Sequence, residues 1–260
     1  EGSWEGLTEE TRNRLIDECV DQVAEEYGHQ ILHSSARNEF MIERLRRILR
    51  RTAWALQKQI LAGSFRPAGY EVSFTQVADL DAVNIALSEE EKMRLKGKID
   101  RIDTCEKDGE VYIKVIDYKS GNKAFDLVAL YYGLQLQLVV YLNAAVEMEQ
   151  RIHKEKEIIP AGIFYYHVKD PMLTGKDTES AEEISAELLK ELKLTGLVSS
   201  DKKVYREMDQ YFAGTSDVIP VAENKDGTLS KRSKAVKKEQ FHTLSSFVQE
   251  KMKELGRRML

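Results

Sequence analysis

The stretch from residue 109 to residue 119 constrains the fold of this chain most, because a buried-strand pattern there runs directly into charged residues. Side chains alternate between the two faces of a strand, so every second residue shares a face. Three apolar residues lie on one such face: Val111, Ile113 and Val115. Asp117 and Lys119 continue the same line past the apolar part. The pattern therefore predicts a strand that presents a carboxylate and an ammonium together where its buried strip ends.

A second carboxylate, on a neighbouring predicted strand, turns this pair into a candidate reaction centre. Asp100 lies in the strand predicted over 95–104. Hard divalent cations such as Mg²⁺ prefer oxygen ligands, which Asp100, Asp117 and the Tyr118 carbonyl could supply. A bound cation lowers the pKa of its water and neutralises charge that builds on a scissile phosphate. Lys119 carries only donors, so its natural roles are to orient the attacking water and to stabilise the developing negative charge.

Three motifs follow one another along the chain. They are Gly97-Lys98-Ile99-Asp100, Asp117-Tyr118-Lys119-Ser120-Gly121 and Gln137-Leu138-Val139-Val140-Tyr141. Together they resemble the RecB-like branch of the PD-(D/E)XK nuclease superfamily. Asp-x-Lys alone arises by chance in many proteins, whereas all three motifs on a strand–strand–helix pattern are specific. The chain from Ser34 onward further resembles the C-terminal nuclease domain of AddB (RexB) subunits of bacterial AddAB helicase–nucleases, at residues 97–103, 131–138, 162–167 and 225–227.

The resemblance implies an α/β fold with a PD-(D/E)XK, restriction-endonuclease-like core. In such a core, helices flank a mixed central sheet, and here helical N- and C-terminal segments elaborate it. We expect one nuclease domain over residues 1–260, with a helical segment over 1–66, the nuclease core over 67–172 and a mainly helical elaboration over 173–260.

The resemblance also implies an activity and partners. The activity is Mg²⁺-dependent hydrolysis of DNA phosphodiesters, with Mn²⁺ able to substitute, on the unwound 5′-terminated strand. It would serve a helicase–nuclease that processes double-strand breaks for recombination repair. The implied partners are DNA, mainly single-stranded, and an AddA-type helicase–nuclease subunit.

Individual side chains receive roles from the same resemblance. Catalytic roles fall on Asp100, Asp117, Lys119, Gln137 and Tyr141, and metal ligation falls on Asp100, Asp117, Tyr118 and Glu71. Related nucleases use a glutamate at the position of Glu71, on the first strand, often through water. Gln137 and Tyr141 lie one helical turn apart on one helix face, where the family lines its cleft.

Structural interpretations of these residues remain open at this point. Asp117 and Lys119 could form an exposed ion pair of little energetic value. Asp100 could cap a turn, and Glu71 could be a solvated strand carboxylate. Tyr141 could simply pack in the core.

Two other functions also remain open. The first is a catalytically silent nuclease-fold module that guides DNA and docks the helicase partner. The second is a restriction-type or phage-type exonuclease. The intact set of Asp100, Asp117 and Lys119 disfavours the silent module, and the AddB-like segments outside the motifs disfavour the exonuclease.

Two clusters of cations are candidates for DNA binding through phosphate contacts. One lies in a helix predicted over 41–60 and the other lies near the C-terminus. Their members are Arg44, Arg47 and Arg51, and Lys231, Arg232 and Lys234. Charge runs are usually solvated faces, so that alternative stays open.

Three further residues lie near the motifs, and two of them are interpreted as structural. Asp103 alternates away from Asp100 on an ideal strand, which favours a salt bridge with a nearby arginine. The same strand alternation leaves the role of Arg101 ambiguous. His167, on a predicted strand, is better explained as a satisfied core histidine than as a site residue.

Composition limits the class of protein. The formal net charge of −5 argues against a protein that coats nucleic acid through bulk charge. The sequence shows no apolar run near the length of a membrane span and no signal-peptide pattern at its start. We therefore expect a cytoplasmic protein without a membrane partner.

The cysteine content bears on cofactors. Cys19 and Cys105 cannot form a zinc or iron–sulfur site between them, and both are interpreted as reduced and structural. The AddB-like resemblance implies an iron–sulfur cluster held by four cysteines that flank the nuclease core, and that set is not visible in this sequence. The chain also lacks an initiating Met, so we expect a domain excised from a larger subunit.

Periodicity and turn residues predict the remaining elements. A two-strand hairpin is expected at Lys107-Asp108-Gly109. Helices are predicted over 41–60, 125–148, 179–192 and 236–258, and strands over 70–75, 95–104, 109–119, 161–168 and 218–221.

Overall fold

A computed structural model describes residues 4–27, 32–75, 80–173 and 180–260. Its α-helices are α1 (Glu9–Glu26), α2 (Ala36–Leu61), α3 (Leu127–Tyr131), α4 (Gln137–Ile152), α5 (Ala181–Glu191), α6 (Lys202–Arg206) and α7 (Lys238–Arg257). Its strands are β1 (Arg66–Ser73), β2 (Asn84–Ala86), β3 (Lys92–Arg94), β4 (Lys98–Lys107), β5 (Glu110–Lys119), β6 (Glu157–His167), β7 (Thr195–Ser199) and β8 (Ala235–Val236).

Six strands form one mixed sheet in the order β1-β4-β5-β6-β7-β8, and β2 pairs with β3 in a separate hairpin. The pairs β5–β6 and β7–β8 are parallel, and the other neighbours in the large sheet are antiparallel. The predicted α/β fold with a mixed central sheet is therefore confirmed. The segment after residue 172 contributes β7 and β8 as well as helices.

Buried residues on the two faces of this sheet form two hydrophobic clusters. On the first face, which α4 and α7 cover, the strand residues include Val115, Ile163 and Leu197. On the second face, residues of α2 and α6 cover Ile116 and Phe164. The sheet therefore lies between two helical layers, and each strand places alternate side chains in each cluster.

The β4–β5 hairpin sets the register of the site. Its two turn residues, Asp108 and Gly109, have φ values of 52° and 82°, as a two-residue type I′ turn requires. The resulting register pairs Arg101 with Ile116. Asp100 and Asp117 are therefore level with each other on adjacent strands and share a face. The predicted hairpin is confirmed.

The long helix predicted over 125–148 is wrong, because the chain breaks it in two. Gly133 adopts φ 83°, and its N–H donates to the Leu130 carbonyl at 2.9 Å. This left-handed residue ends α3 in the way glycine commonly ends helices. Gln135 consequently lies in the connection, and α4 begins only at Gln137.

The strand predicted over 218–221 is also wrong, although its apolar residues are buried. The Ser216 hydroxyl accepts the N–H groups of both Val218 and Ile219 at 3.0 Å, which folds the backbone into a turn. Pro220 has no backbone N–H that could donate to a neighbouring strand. The strands of this region are instead β7 and β8, which lack a long alternating pattern.

Other predicted elements differ only in their bounds. β1 starts before residue 70, and its register with β4 shifts between Pro67 and Gly69. β6 starts at Glu157 rather than after Pro160, because the register between β5 and β6 shifts opposite that proline. The helices predicted over 41–60 and 236–258 correspond to α2 and α7, and the one predicted over 179–192 corresponds to α5. Residue 179 lies outside the described residues.

A buried ion cluster lies on the sheet face opposite Asp100. Arg101 donates to both carboxylate oxygens of Asp103, at 2.6 and 2.7 Å, and Lys114 lies 3.4 Å from the same carboxylate. Asp103 is completely buried. Burial lowers the pKa of Lys114. The predicted salt bridge between Asp103 and an arginine is confirmed.

Asp103→Asn tests this cluster. The substitution leaves two buried cations without a carboxylate, and breaking a buried pair in this way costs about 3–5 kcal/mol. We expect the free energy of unfolding, measured with urea, to fall by that amount. Asp108→Asn is the matched control, because it makes the same change at an exposed turn position where asparagine tolerates a positive φ. Equal stabilities for the two variants would contradict the prediction.

Candidate active site

Asp100 and Asp117 lie side by side on one face of the sheet, near the C-terminal end of β5. The Asp117 carboxylate is 2% exposed and forms an ion pair with Lys119. Asp100 accepts a hydrogen bond from the Tyr118 backbone N–H at 2.7 Å. Because β5 alternates, Asp117 and Lys119 project together above the last buried residues. The exposed ion pair considered for Asp117 and Lys119 does not describe this geometry.

The carboxylates form a site with excess negative charge. Burial raises the pKa of Asp100, and the nearby charges of Asp117 and Glu71 raise it further, whereas the Tyr118 N–H opposes the shift. Asp117 Oδ2 is buried and accepts no well-directed hydrogen bond from the described residues beyond its ion pair with Lys119. Such a site attracts a cation.

The donor set fits a hard divalent ion. Asp100 and Asp117 offer carboxylate oxygens on adjacent strands, and the Tyr118 carbonyl comes from the residue between Asp117 and Lys119. Within the described ranges, no group of three or more His, Cys, Asp and Glu side chains is placed to hold a metal by itself. Two carboxylates completed by a carbonyl, water and substrate oxygens are the arrangement expected for Mg²⁺.

Glu71 lies on β1, the strand next to the one that carries Asp100, and its side chain is largely exposed to solvent near that carboxylate. Its carboxylate accepts from Lys98 Nζ at 3.2 Å, and the side chain is 65% exposed. The backbone of Glu71 has φ 49°, a left-handed conformation that is strained for this residue type. The role of Glu71 as a metal ligand, which the family resemblance implies, stays a prediction.

Gln137 connects the lysine to the helix after the site. It accepts from Lys119 Nζ at 3.2 Å and donates to the Tyr141 hydroxyl at 2.7 Å. Tyr141 is buried and contacts Phe74 edge to face, with ring centroids 5.8 Å apart. The two residues share a face of α4 as predicted, and Tyr141 is both packed in the core and hydrogen-bonded to the site.

Gln137→Ala should slow the DNA cleavage that the family resemblance implies, because it removes the acceptor that holds Lys119. One hydrogen bond contributes about 0.5–1.5 kcal/mol, which corresponds to roughly 2- to 10-fold in rate. Gln135→Ala is the matched control, since the hydrogen bonds of Gln135 go to the backbone of Asp126 and Ala124. The measurement is the cleavage rate of each variant, and equal rates would show that Gln137 does not position Lys119.

Tyr165 belongs to the same site, although no motif in the sequence predicted a role for it. It is the β6 partner of Asp117 in the parallel register, and it is fully buried. Lys119 Nζ lies 5.6 Å from its ring centroid, and its hydroxyl has no hydrogen-bond partner among the described residues. Burial raises the pKa of Tyr165 to about 12, and the nearby charges of Asp117 and Tyr141 contribute to this shift. The alternation of β6, which puts Tyr165 on the same face as the apolar Ile163, was the sequence signal for its burial.

His167 pairs with Lys119 in the register of β5 and β6. Its Nε2 lies 2.9 Å from the Lys123 carbonyl, so a backbone group satisfies the half-buried ring. Tyr118 packs edge to face on Tyr166, on the opposite sheet face.

The candidate DNA-binding cations occupy two separate places. Arg47 and Arg51 on α2 both form ion pairs with Asp170, which follows β6, and Arg44 is exposed without an ion pair to any described residue. The C-terminal cluster lies on the loop before β8, at the surface. Its members are Lys231, Arg232 and Lys234.

Comparison with known proteins places this geometry in a family. A sequence profile of the PD-(D/E)XK nuclease superfamily matches residues 3–258. The chain belongs to the PD-(D/E)XK nuclease superfamily. Its mixed α/β fold is that of the nuclease domains of this superfamily.

Individual relatives share one name, as the B subunit of an ATP-dependent helicase/deoxyribonuclease. The chain is 40% identical to that protein from Caldanaerobacter subterraneus subsp. tengcongensis over 99% of its own length. It is 42% identical to the one from Clostridium acetobutylicum over 94% of its length. These alignments cover 22% and 21% of the relatives, so the chain spans about a fifth of the proteins it matches.

Proposed function

We propose that this chain hydrolyses DNA phosphodiester bonds with Mg²⁺, for which Mn²⁺ can substitute, as the nuclease part of a helicase–nuclease subunit. The observation that carries the proposal is the placement of Asp100 and Asp117 on one sheet face with Lys119 beside Asp117. The names of the relatives support DNA as the substrate.

Asp100, Asp117 and the Tyr118 carbonyl would hold the cation. When bound, it supplies positive charge that stabilises the phosphate in the transition state and acidifies water. Lys119, held between Asp117 and Gln137, keeps its ammonium where it can orient the attacking water and donate to a phosphate oxygen. The ring of Tyr165 lies against the lysine, which helps to preserve its orientation.

The finer parts of the proposal concern the cellular setting. We infer a single-stranded substrate, namely the unwound 5′-terminated strand, delivered by an AddA-type helicase–nuclease subunit during recombination repair in the cytoplasm. The whole subunit would also carry an iron–sulfur cluster held by cysteines that this chain does not contain. No helix in the described ranges combines the length and apolar character that crossing a bilayer demands.

A cleavage assay tests the function directly. End-labelled single-stranded DNA is incubated with the chain in Mg²⁺, in Mn²⁺ and in EDTA, with blunt duplex DNA in parallel. We expect cutting of the single strand with either metal, none in EDTA, and little cutting of the duplex. Binding of DNA without cutting in either metal would favour the silent guiding module instead.

A further inference from the structure

A groove of about 760 Å³ lies on the sheet beyond the candidate active site. Its walls come from the loop after β5, from β7 and from the segment between α6 and β8. Its lining includes Phe125, Leu127, Thr195, Pro220, Arg232 and Lys234. The groove therefore combines parts of the chain that are distant in sequence.

The sheet register locates this groove relative to the carboxylates. Asp117 pairs with Tyr165 on β6, and Tyr165 pairs with Thr195 on β7. Partners in register share a face, so Thr195 lies in the same transverse row as Asp117. Strands lie about 4.8 Å apart, which places the groove roughly 10 Å from Asp117. The groove and the carboxylates thus open on one sheet face, at one end of the sheet.

The charges of the groove favour an anion. Arg232 and Lys234 form no ion pair with a carboxylate of the described residues, and Lys193 adds a third cation to the lining. Asp126 is the lining carboxylate, and its Oδ1 is occupied as the cap of α3, accepting from the N–H groups of Val128 and Ala129. The lining therefore carries three cations against one carboxylate, an excess of positive charge, although the whole chain carries a net charge of −5.

The apolar part of the lining selects among polyanions. Phe125, Leu127 and Pro220 offer hydrophobic and ring surfaces between the cations. A duplex presents phosphates outward and hides its bases, whereas a single strand exposes bases that can stack on such surfaces. Cations beside apolar walls are the composition expected of a groove for single-stranded nucleic acid.

We propose that this groove binds the single-stranded DNA that extends from the scissile phosphate, with Arg232 and Lys234 on its phosphates and Phe125 against its bases. The proposal rests on the proposed nuclease function, since it deepens the substrate class of the same site. Lys193 provides a further phosphate contact that the sequence did not indicate.

Binding measured without cleavage tests the groove. Fluorescence anisotropy of a labelled oligothymidylate in EDTA compares the unmodified chain with the double variant Arg232→Ala/Lys234→Ala. We expect roughly 10-fold weaker binding at moderate salt. Loss of two phosphate contacts should also reduce the slope of log affinity against log salt by about 1.4. In the Mg²⁺ assay, the same variant should raise KM more than it lowers kcat.

Two further variants separate the groove from bulk charge. Lys203→Ala/Lys225→Ala removes the same charge from exposed lysines that do not line the groove, and it should bind nearly normally. Arg232→Lys/Lys234→Arg keeps the charge and should restore binding. Melting temperatures check that each variant folds.

Several outcomes would overturn the groove assignment. One is equal weakening of binding by the groove variant and by the lysine control. Another is tighter binding of a polyglutamate peptide than of oligothymidylate, which would indicate a site for an acidic protein segment. Absence of cleavage by the unmodified chain, with groove-dependent binding intact, would instead refute the nuclease function alone.

Discussion

Asp117→Asn should reduce Mg²⁺-dependent cleavage of single-stranded DNA by roughly 10³-fold or more, with Asp100→Asn close behind it. Each substitution removes a full charge from the proposed cation site, where adjacent strands bring two carboxylates together. Asparagine keeps the shape of aspartate, so the fold should survive. The measurements are the initial cleavage rate and Mn²⁺ affinity by calorimetry, which should fall together.

Asp108→Asn serves as the control for both variants, because it removes one carboxylate from an exposed turn at the far end of the hairpin. Its rate and Mn²⁺ affinity should equal those of the unmodified chain. If Asp117→Asn or Asp100→Asn keeps substantial activity, the carboxylates are not the metal site.

Lys119→Ala should lower the cleavage rate by about 10²–10³-fold while leaving Mn²⁺ affinity largely intact. Loss of one donor to a developing negative charge costs about this much. The lysine contacts Asp117 and Gln137, both of which remain in the variant. A rate defect without a metal-binding defect is the signature of a group that acts on the transition state.

Lys123→Ala is the matched control for the lysine. Its ammonium also lies near the Tyr165 ring, 5.9 Å from the centroid, but the ion pair of Asp117 is with Lys119. The effect of this control on the rate should be small. Similar rates for the two lysine variants would mean that Lys119 has only a structural part.

The hairpin shows why much of the site was predictable. Asp108-Gly109 fixes the turn, and the turn fixes the register, so local sequence alone brings Asp100 opposite Asp117. The alternation that buries Val115 also decides where Lys119 points. Gln137 and Tyr141 follow from helical spacing, even though the helix containing them was predicted too long.

The position of Tyr165 and the walls of the groove could not be predicted from local sequence patterns. The pairing of β6 with β5 is parallel and joins segments separated by a whole helix, so no local pattern reports that Tyr165 lies beside Asp117. The same holds for the groove, whose walls are three segments that approach only in the folded chain. The ion pairs of Arg47 and Arg51 with Asp170 were likewise not predicted, because Asp170 is more than 100 residues away in the sequence.

The sequence by itself determined the elements that carry the proposed site: the strand with Asp117 and Lys119, the hairpin that joins it to the strand of Asp100, and the helix with Gln137 and Tyr141. These features depend on contacts between residues close in the chain, which periodicity and turn residues specify. Only the tertiary structure decided which cations remain free and what adjoins the carboxylates. Those properties depend on packing between distant segments, where burial and pairing override local preference.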